Sequence, residues 1–288
     1  MQISCSSLFL WEFDVETIVD ILHKAGITWV EFWAETPDFW LKRDNAGVVH
    51  DLAQALSRLD GCTLHAPILD LNPSSYNDYV SELTLHETLW SLELASKIGA
   101  EIVTIHPGNR TVHRTPTTRD LEKFKHYLKT SLKRATELGL TLALENLTPK
   151  KWNICTTPEE IKSEINEFEG LMFTFDIMHA LTKSLDHALP FIELTEHMAN
   201  IHVGSVWKGT HHLPLHISRP YNHTTKNYSQ NEEHDEAVKI LHALKNAGYD
   251  GILTIEINDL VYKQPLSQEE KVAELTSEHE YIEEILQL

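Results

Sequence analysis

Residues 101–145 hold a strand, a helix and a second strand in succession: EIVTIH at 101–106, RDLEKFKHYLKTSLKRATELG at 119–139 and LTLALE at 140–145. The two short runs are rich in β-branched and aliphatic residues, which favour strands. The long segment spaces its apolar residues with the helical period and closes on Gly139, the residue type expected just beyond a helix C-terminus. This stretch therefore predicts a βαβ unit with a right-handed crossover.

The same unit recurs along the whole chain. Amphipathic stretches separate eight candidate strands, which are QISCS near residue 2, TWVEF at 28, CTLHA at 62, EIVTIH at 101, LTLALE at 140, LMFTFD at 171, NIHVG at 200 and ILTIEI at 252. Eight such units predict an α/β fold of the (β/α)8 TIM barrel type. No linker or composition shift interrupts them, so we expect one domain over residues 1–288. An open doubly wound sheet is the alternative, because periodicity alone does not show closure.

Charge and composition restrict the classes of function. Lysine and arginine total 24 against 43 aspartates and glutamates, and the net charge of −19 opposes non-specific attraction to nucleic acid or anionic membranes. No apolar run approaches the roughly 20 residues of a membrane span, and the N-terminal segment lacks the basic region of a signal peptide. We therefore expect a cytoplasmic protein with no membrane partner. Its three cysteines form no CxxC pair, so we expect buried free thiols rather than disulfides or a thiolate zinc site.

Imidazoles and carboxylates end six consecutive predicted strands. In a parallel barrel these ends meet at the C-terminal rim, where barrel enzymes place their chemistry. Mixed nitrogen and oxygen donors of this kind suit Zn, Mn, Fe or Co. A structural explanation is open at single positions, since a lone histidine can pack in a core and Asp176 could simply cap a helix. The six rim residues are His65, His106, Glu145, Asp176, His202 and Glu256.

Seven short motifs follow one another along the chain: HAP, HPG, LEN, FDIMHA, HVG, HHLPLH and IEI. In this order they resemble the xylose isomerase-like barrel superfamily, which includes the sugar phosphate isomerases and epimerases and endonuclease IV (AP endonuclease family 2). The resemblance to the epimerases implies a single divalent metal held by Glu145, Asp176, His202 and Glu256. It also implies that the two glutamates act as acid and base.

The resemblance to endonuclease IV implies a three-zinc cluster that also uses His65, His106, His179 and His212. The sequence departs from that pattern two residues before His212, where an aspartate ligand is expected and Thr210 stands. It departs again after HLPL, where a glycine is expected and His216 stands. A third metal therefore depends on whether His211 or His216 replaces the missing ligand.

The rim residues support two reactions and one non-catalytic alternative. The preferred hypothesis is an isomerase or epimerase of a small carbohydrate, with or without phosphate. It needs a divalent metal (Zn, Mn or Co; one to three ions) and transfers a proton next to a metal-polarised carbonyl of the substrate. The runner-up is a multinuclear zinc phosphoester hydrolase of the abasic-site type. A binding protein on a barrel scaffold is the third hypothesis, which is disfavoured because a binding module does not need all six rim residues.

Positive charge concentrates in three predicted rim loops that contain no acidic residue. This pattern predicts a local positive field that attracts a small anionic or polyhydroxylated substrate, whereas solvated loops that merely lack acids are the alternative. Nucleic acid is a disfavoured partner, because the remainder of the chain is acidic, and a homo-oligomer is compatible with the sequence. The loop cations are Arg110, Arg114, Arg119, Lys150, Lys151, Lys208, Arg219 and Lys226.

Residues 206–231 form a segment that is too long for an ordinary connection, so a functional loop or lid is predicted. Trp207 and Tyr221 in this segment are candidates to shield the metal from water. The aromatic stretch WVEFWAETPDFW at 29–40 is mostly explained by packing, although Glu31 within it is a candidate to reach inward. The residues expected to contact substrate are Arg110, Lys150, His179, Trp207, Lys208, His211 and His216.

Overall fold

The computed structural model describes residues 1–207, 209–218, 232–259, 262 and 264–288. Within these residues the strands are β1 (Gln2–Ser6), β2 (Trp29–Trp33), β3 (Gly61–His65), β4 (Ile102–Ile105), β5 (Thr141–Glu145), β6 (Met172–Asp176), β7 (Met198–Val203), β8 (Ser205–Trp207), β9 (Thr210–Leu213) and β10 (Ile252–Ile255). Eight of these described strands form a closed parallel barrel in the order β1-β10-β7-β6-β5-β4-β3-β2, and β2 pairs with β1 to close it. The predicted barrel is confirmed, and the open sheet is excluded.

Helices surround the barrel, and the connections from β3, β4 and β5 to the helices that follow them are long loops at the rim. The long helices begin and end where their sequences predict: Asn77 caps one through its side chain, Thr117 and Asp120 form a capping box on the next, and both end on a glycine with positive φ. The described helices are α1 (Val15–Lys24), α2 (Pro37–Trp40), α3 (Ala46–Leu56), α4 (Asp78–Ile98), α5 (Thr118–Leu138), α6 (Pro158–Glu167), α7 (Ile177–Leu181), α8 (Leu185–Ala188), α9 (Glu232–Asn246) and α10 (Gln268–Leu286).

The strand period of two decides what lies inside the barrel. Side chains alternate between the interior and the surrounding helices, so each rim residue stands two positions after another inward-facing residue. Most of those preceding residues are small and polar, as in TLH at 63–65, TFD at 174–176, NIH at 200–202 and TIE at 254–256. They form a buried polar layer directly beneath the rim, while the apolar core lies between the strands and the helices.

The structure refines three expectations. His106 and Glu256 each lie one residue beyond their strands, and Pro107 stops the first of these strands from pairing further because it has no backbone N–H.

The start of the predicted lid folds as the antiparallel hairpin β8–β9, whereas Tyr221 lies outside the described residues. All three cysteines are buried free thiols, as expected. In the described part of the chain, no helix combines the length and apolarity needed to cross a bilayer.

Candidate metal centre

Four rim residues from adjacent strands place their donor atoms together in the mouth of the barrel. Glu145 and Asp176 end β5 and β6, His202 lies on β7, and Glu256 follows β10. One donor atom from each of the four lies within 4.8 Å of the others, and all four residues are buried. We call this group the tetrad. It brings together the four residues for which the sequence resemblance implies a shared metal.

The donor atoms of the tetrad lie close to one another. Nδ1 of His202 lies 3.0 Å from Oε2 of Glu256 and 3.5 Å from Oε2 of Glu145. Asp176 uses Oδ1 to accept a hydrogen bond of 2.6 Å from the backbone N–H of His179, which caps α7. Helix capping therefore accounts for only one of its two oxygens, and Oδ2 is left over.

The leftover atoms of the tetrad fit a divalent cation. Oδ2 of Asp176, Nδ1 of His202 and Oε2 of Glu256 are all buried, and none has a hydrogen bond of acceptable geometry to another described residue. Buried polar atoms without partners are costly, and buried carboxylates are retained when they are paired or coordinate a metal. Three carboxylates and one imidazole are the kind of donor set that suits Mn²⁺, Co²⁺ or Zn²⁺. The residues present therefore match the metal that the sequence predicts.

Glu145 also belongs to a second group, with His65 and His106. Its Oε2 lies 3.3 Å from Nε2 of His65 and 3.2 Å from Nε2 of His106. Nδ1 of His65 lies 2.8 Å from the carbonyl oxygen of Ala66, and donation to that oxygen leaves Nε2 of His65 free to face the carboxylate. One glutamate oxygen is thus shared between the tetrad and a pair of imidazoles.

A third group consists entirely of imidazoles. His179, His211 and His212 each offer a ring nitrogen within 4.8 Å of the others, and the rings of His211 and His212 have centroids 4.4 Å apart. The backbone of His212 has a φ of +60°, which turns adjacent side chains of the hairpin toward the same side. Thr210 is exposed and is not a member of this group, whereas the adjacent His211 is.

His216 lies elsewhere, which corrects the expectation that it contacts metal or substrate. Its Nδ1 is 2.7 Å from Oε2 of Glu278, and its Nε2 is 2.7 Å from Oε1 of Glu274, both on α10. These two glutamates outweigh the effect of burial and raise the pKa of His216 to about 10. Both ring nitrogens are therefore engaged in holding the hairpin segment against the last helix.

The carboxylates of the tetrad differ in their electrostatic surroundings. Burial by itself would raise the pKa of Glu145, but His106 and His202 outweigh it and hold that pKa well below its ordinary value. In the same way, His202 and His212 outweigh burial and lower the pKa of Glu256. For Asp176 burial prevails and raises the pKa to about 6. The two glutamates are therefore ionised and able to accept a proton or bind a cation.

The imidazoles separate into charged and neutral members. Burial would lower the pKa of His179, but Asp176 and Glu145 raise it to about 9. Burial, together with the charges of His212 and His179, lowers the pKa of His211 to about 3. Burial also lowers the pKa of His106. His211 is consequently a neutral nitrogen donor at physiological pH, whereas a cation that binds His179 must displace a proton.

The predicted cationic rim is only partly present. Arg110 has its Nε 3.7 Å from Oδ2 of Asp120 and donates a hydrogen bond of 2.6 Å to the carbonyl oxygen of Thr115. Arg119 pairs with Asp78. The loops themselves lack acids, but helices α4 and α5 supply them, which corrects the expectation of a rim field from all eight cations. Lys208, Arg219 and Lys226 lie outside the described residues.

Lys150 and Trp207 are the other expected substrate contacts within the described residues. The ammonium group of Lys150 is exposed and lies 5.9 Å from the ring centroid of Trp152. Its charge also contributes to the lowered pKa of His211, after burial and the two neighbouring imidazoles. Trp207 is half-buried and packs on the small apolar cluster that contains Leu213.

Two side chains beneath the rim support the site. The side-chain oxygen of Asn146 accepts a hydrogen bond of 2.9 Å from the backbone N–H of Asp176. The backbone carbonyl oxygen of Asn146 lies 2.9 Å from Nδ1 of His179. Glu31 is fully buried, with Oε1 3.0 Å from Nε2 of His202. The sequence shows only one sign of the latter contact, namely a charged residue at an inward position of an otherwise apolar strand.

Comparisons with known proteins give the family and the fold. The sequence pattern of the xylose isomerase-like TIM barrel matches residues 19–281. An uncharacterized protein of Methanocaldococcus jannaschii is 33% identical over 293 residues, which cover 99% of this chain and 100% of the relative. Two solved structures resemble the whole fold: a D-tagatose 3-epimerase-like protein (TM-score 0.76, 21% identity, 100% of this chain and 97% of the other) and an L-ribulose 3-epimerase (TM-score 0.73, 16% identity, 100% and 95%).

Proposed function

This chain belongs to the xylose isomerase-like TIM barrel family, and from that premise we propose that it is a divalent-metal-dependent isomerase or epimerase of a small carbohydrate, with or without a phosphate group. The observation that carries the proposal is the tetrad, in which two ionised glutamates accompany buried donor atoms that make no hydrogen bond of acceptable geometry to a described residue. The resemblance of the fold to solved sugar 3-epimerases supports the same class of substrate.

The tetrad would hold the metal through Glu145, Asp176, His202 and Glu256. A divalent ion there would polarise a substrate carbonyl and lower the cost of removing a proton from the neighbouring carbon. The rest of the chemistry falls to the chain itself. A carboxylate with a lowered pKa is ionised before substrate arrives, so Glu145 or Glu256 can take the proton from carbon without first losing its own.

The two glutamates divide the proton transfer between them. One accepts the proton from carbon and later releases it to solvent, and the other takes up a proton from solvent and delivers it to the carbon, which inverts the centre when the two approach from opposite faces. His179, whose pKa is raised to about 9 by Asp176 and Glu145 against the effect of burial, is protonated at neutral pH and can donate a hydrogen bond to a substrate hydroxyl. Hairpin β8–β9 lies beside the rim, where it would limit the access of water.

Deuterium exchange tests this proposal directly. Protein purified without chelator is loaded with Mn²⁺ or Co²⁺ and incubated in D2O with ketoses and ketose phosphates, and the carbon beside the carbonyl is followed by NMR. We expect deuterium to enter that carbon, and we expect Glu145→Gln and Glu256→Gln each to abolish the exchange. Protein shown to bind one metal per chain that exchanges no proton on any of these sugars would contradict the assignment.

A second function is favoured by the two further donor groups. His65 and His106 share Glu145 with the tetrad, and His179, His211 and His212 form their own group, so the described residues offer places for up to three ions. Ions at these groups would activate water and neutralise the charge of a phosphoester. Two or three tightly held zinc ions per chain, with incision of an abasic-site duplex that His106→Ala abolishes, would establish hydrolysis in place of isomerisation.

A further inference from the structure

Glu31 stands directly beneath the tetrad, on the opposite side of the His202 ring from the other carboxylates. Both of its oxygens are close to Nε2 of His202, at 3.0 and 3.2 Å. Nδ1 of the same ring faces Glu256 at 3.0 Å and Glu145 at 3.5 Å. The imidazole of His202 therefore lies between the metal-binding face of the rim and the carboxylate of Glu31 in the polar layer. Both His202 and Glu31 have 0% exposure.

The orientation of Glu31 is determined by Asn200. The Oδ1 atom of Asn200 accepts hydrogen bonds from the backbone N–H of Ile201 at 2.9 Å and from the hydroxyl of Thr254 at 2.8 Å. Its amide group therefore has to point the other way, and it donates to Oε2 of Glu31 at 2.7 Å. Oε2 accepts from Asn200 and also makes the hydrogen bond of 3.2 Å to Nε2 of His202, whereas Oε1 lies 3.0 Å from the same nitrogen without the geometry of a hydrogen bond.

We propose that Glu31 is a positioning residue that keeps a proton on Nε2 of His202 and so leaves Nδ1 free to bind the metal. A neutral imidazole carries one proton, and the nitrogen that holds it is selected by the hydrogen bond that the ring makes. A carboxylate can only accept, so it holds the proton on the nitrogen that it faces. This inference rests on the proposed metal site and holds for either reaction at that site.

The substitution Glu31→Gln tests the proposal because Asn200 dictates how the new amide must lie. The carbonyl oxygen of the introduced amide has to accept from Asn200, so its NH2 group takes the place of Oε1, 3.0 Å from Nε2 of His202. A donor at this distance opposes a proton on Nε2 and favours the ring proton on Nδ1, where it faces the metal position. We expect metal affinity to fall about 10- to 100-fold, the range typical for loss of such a supporting contact.

The readout is the affinity for Zn²⁺ or Co²⁺, measured by competition with a chromogenic chelator, so it does not depend on sugar turnover. Nitrogen-15 NMR of the zinc-loaded protein supplies a second readout, because it shows which nitrogen of His202 carries the proton. We expect Nε2–H in the natural protein, with a proton resonance shifted strongly downfield by the carboxylate. We expect this signal to be lost in Glu31→Gln.

A reciprocal exchange separates positioning from a merely structural role. In the double variant Glu31→Gln with Asn200→Asp, the carboxylate introduced at position 200 accepts from the amide introduced at position 31. That amide then turns its oxygen toward Nε2 of His202 and restores the proton to that nitrogen. We expect the double variant to recover most of the affinity. Asn200→Asp alone is the control. It places the new carboxylate beside that of Glu31, so it cannot restore the metal affinity.

The outcomes distinguish this inference from the proposed function. If the natural protein binds no divalent metal, the proposed function itself is wrong. If it binds metal and Glu31→Gln binds equally well, only the positioning role of Glu31 is wrong. Loss of affinity in Glu31→Gln without recovery in the double variant, accompanied by a lower melting temperature of the metal-free protein, would also overturn the inference, because it would show a packing role alone.

Discussion

Oε2 of Glu145 lies 3.2 Å from Nε2 of His106, which joins the tetrad to the pair of histidines beside it. The same oxygen lies 3.3 Å from Nε2 of His65 and 3.5 Å from Nδ1 of His202. A carboxylate oxygen in this position can bind a cation in the tetrad or a cation held by His65 and His106. The number of metal ions that the protein holds therefore depends on whether both sides of Glu145 are used, and this number separates the two candidate functions.

Replacing His106 with alanine tests whether a metal ion binds between Glu145 and the pair His65 and His106. We expect His106→Ala to remove any ion bound by His65, His106 and Glu145 and to leave the tetrad ion in place, because His106 is not a member of the tetrad. Metal content per chain, measured by elemental analysis, should fall by one if the protein is multinuclear. If the natural protein holds a single ion, the content should not change.

His86→Ala is the matched control for this experiment, since that histidine is exposed on α4. It should change neither the metal content nor the activity. Loss of all metal from His106→Ala would contradict the division into separate groups, because it would mean that the tetrad cannot bind an ion on its own.

Metal binding should release protons at neutral pH. The pKa of His179 is raised to about 9, and that of His202 is raised well above its ordinary value; in both cases neighbouring carboxylates outweigh burial. Below these values the metal-free rings are protonated, and a cation must displace one proton from each ring that it binds. Affinity should therefore rise about tenfold per pH unit for each such ring below its pKa.

Isothermal titration of the protein with Zn²⁺ in buffers of different ionisation enthalpy measures this release. The apparent enthalpy should vary with the buffer in proportion to the number of protons released. Binding that is independent of both pH and buffer would show that neither ring is a ligand.

The pairing of His216 with Glu274 and Glu278 should make stability depend on pH in the alkaline range. An unfolded histidine has a pKa of about 6.5, whereas the two glutamates raise the pKa of His216 to about 10 against the effect of burial. The stabilisation is therefore complete below about pH 6.5 and is lost as the pH rises toward 10. Removing one partner of a buried pair costs about 3 kcal/mol, so His216→Ala should lower the free energy of unfolding by that amount at pH 6.

Denaturation by urea at pH 6 and at pH 10 checks this expectation. The difference between the natural protein and His216→Ala should be large at pH 6 and should shrink at pH 10, where about half of the His216 side chains in the natural protein have lost their charge. A difference of equal size at both values would mean that His216 stabilises the hairpin by packing rather than by charge. His23→Ala, at an exposed position on α1, controls for the general effect of losing a histidine.

Lys150 should discriminate between phosphorylated and unphosphorylated substrates. Its ammonium group is exposed, lies near Trp152 and acts electrostatically on His211, so it stands where an anionic substituent would approach. We expect Lys150→Ala to raise KM for a ketose phosphate about tenfold and to leave KM for the free ketose unchanged, since one charge-assisted hydrogen bond contributes about 1.5 kcal/mol. The neighbouring Lys151→Ala is the matched control and should change neither value.

Steady-state kinetics with each sugar and its phosphate provide the measurement. An equal rise in KM for both substrates would assign Lys150 to the structure of the loop rather than to the recognition of phosphate.

The barrel and most of its rim could be predicted from sequence because they repeat a local pattern. Each strand carries its signal in a few β-favouring residues, and each rim residue follows directly, as His65 does in TLH and Asp176 in TFD. A period of two within the strand and closure of the parallel sheet then bring these residues to one edge. The six rim residues were predictable for this reason, whereas the choice of the four that form the tetrad came from the resemblance to the epimerases.

Contacts between segments far apart in the chain could not be predicted in this way. The charge of Arg119 looked free in the sequence, but this residue lies on α5 and pairs with Asp78 on α4, 41 positions away. His216 looked like a ligand because it adjoins His211 and His212, yet α10 holds it. In each case the partner is chosen by packing, which local sequence does not contain.

The sequence by itself indicated eight strand and helix units and the rim at which six donor residues meet, and its resemblance to a known family implied the four residues of the tetrad. The tertiary structure showed that the barrel closes. Only the tertiary structure decided which further histidines join the tetrad, how Glu145 is shared, and that Glu31 faces His202 across 171 positions of the chain. The physical reason is that strand period and sheet closure act on every residue alike, whereas the partner of a buried charge depends on which side chains the fold happens to bring within hydrogen-bonding distance.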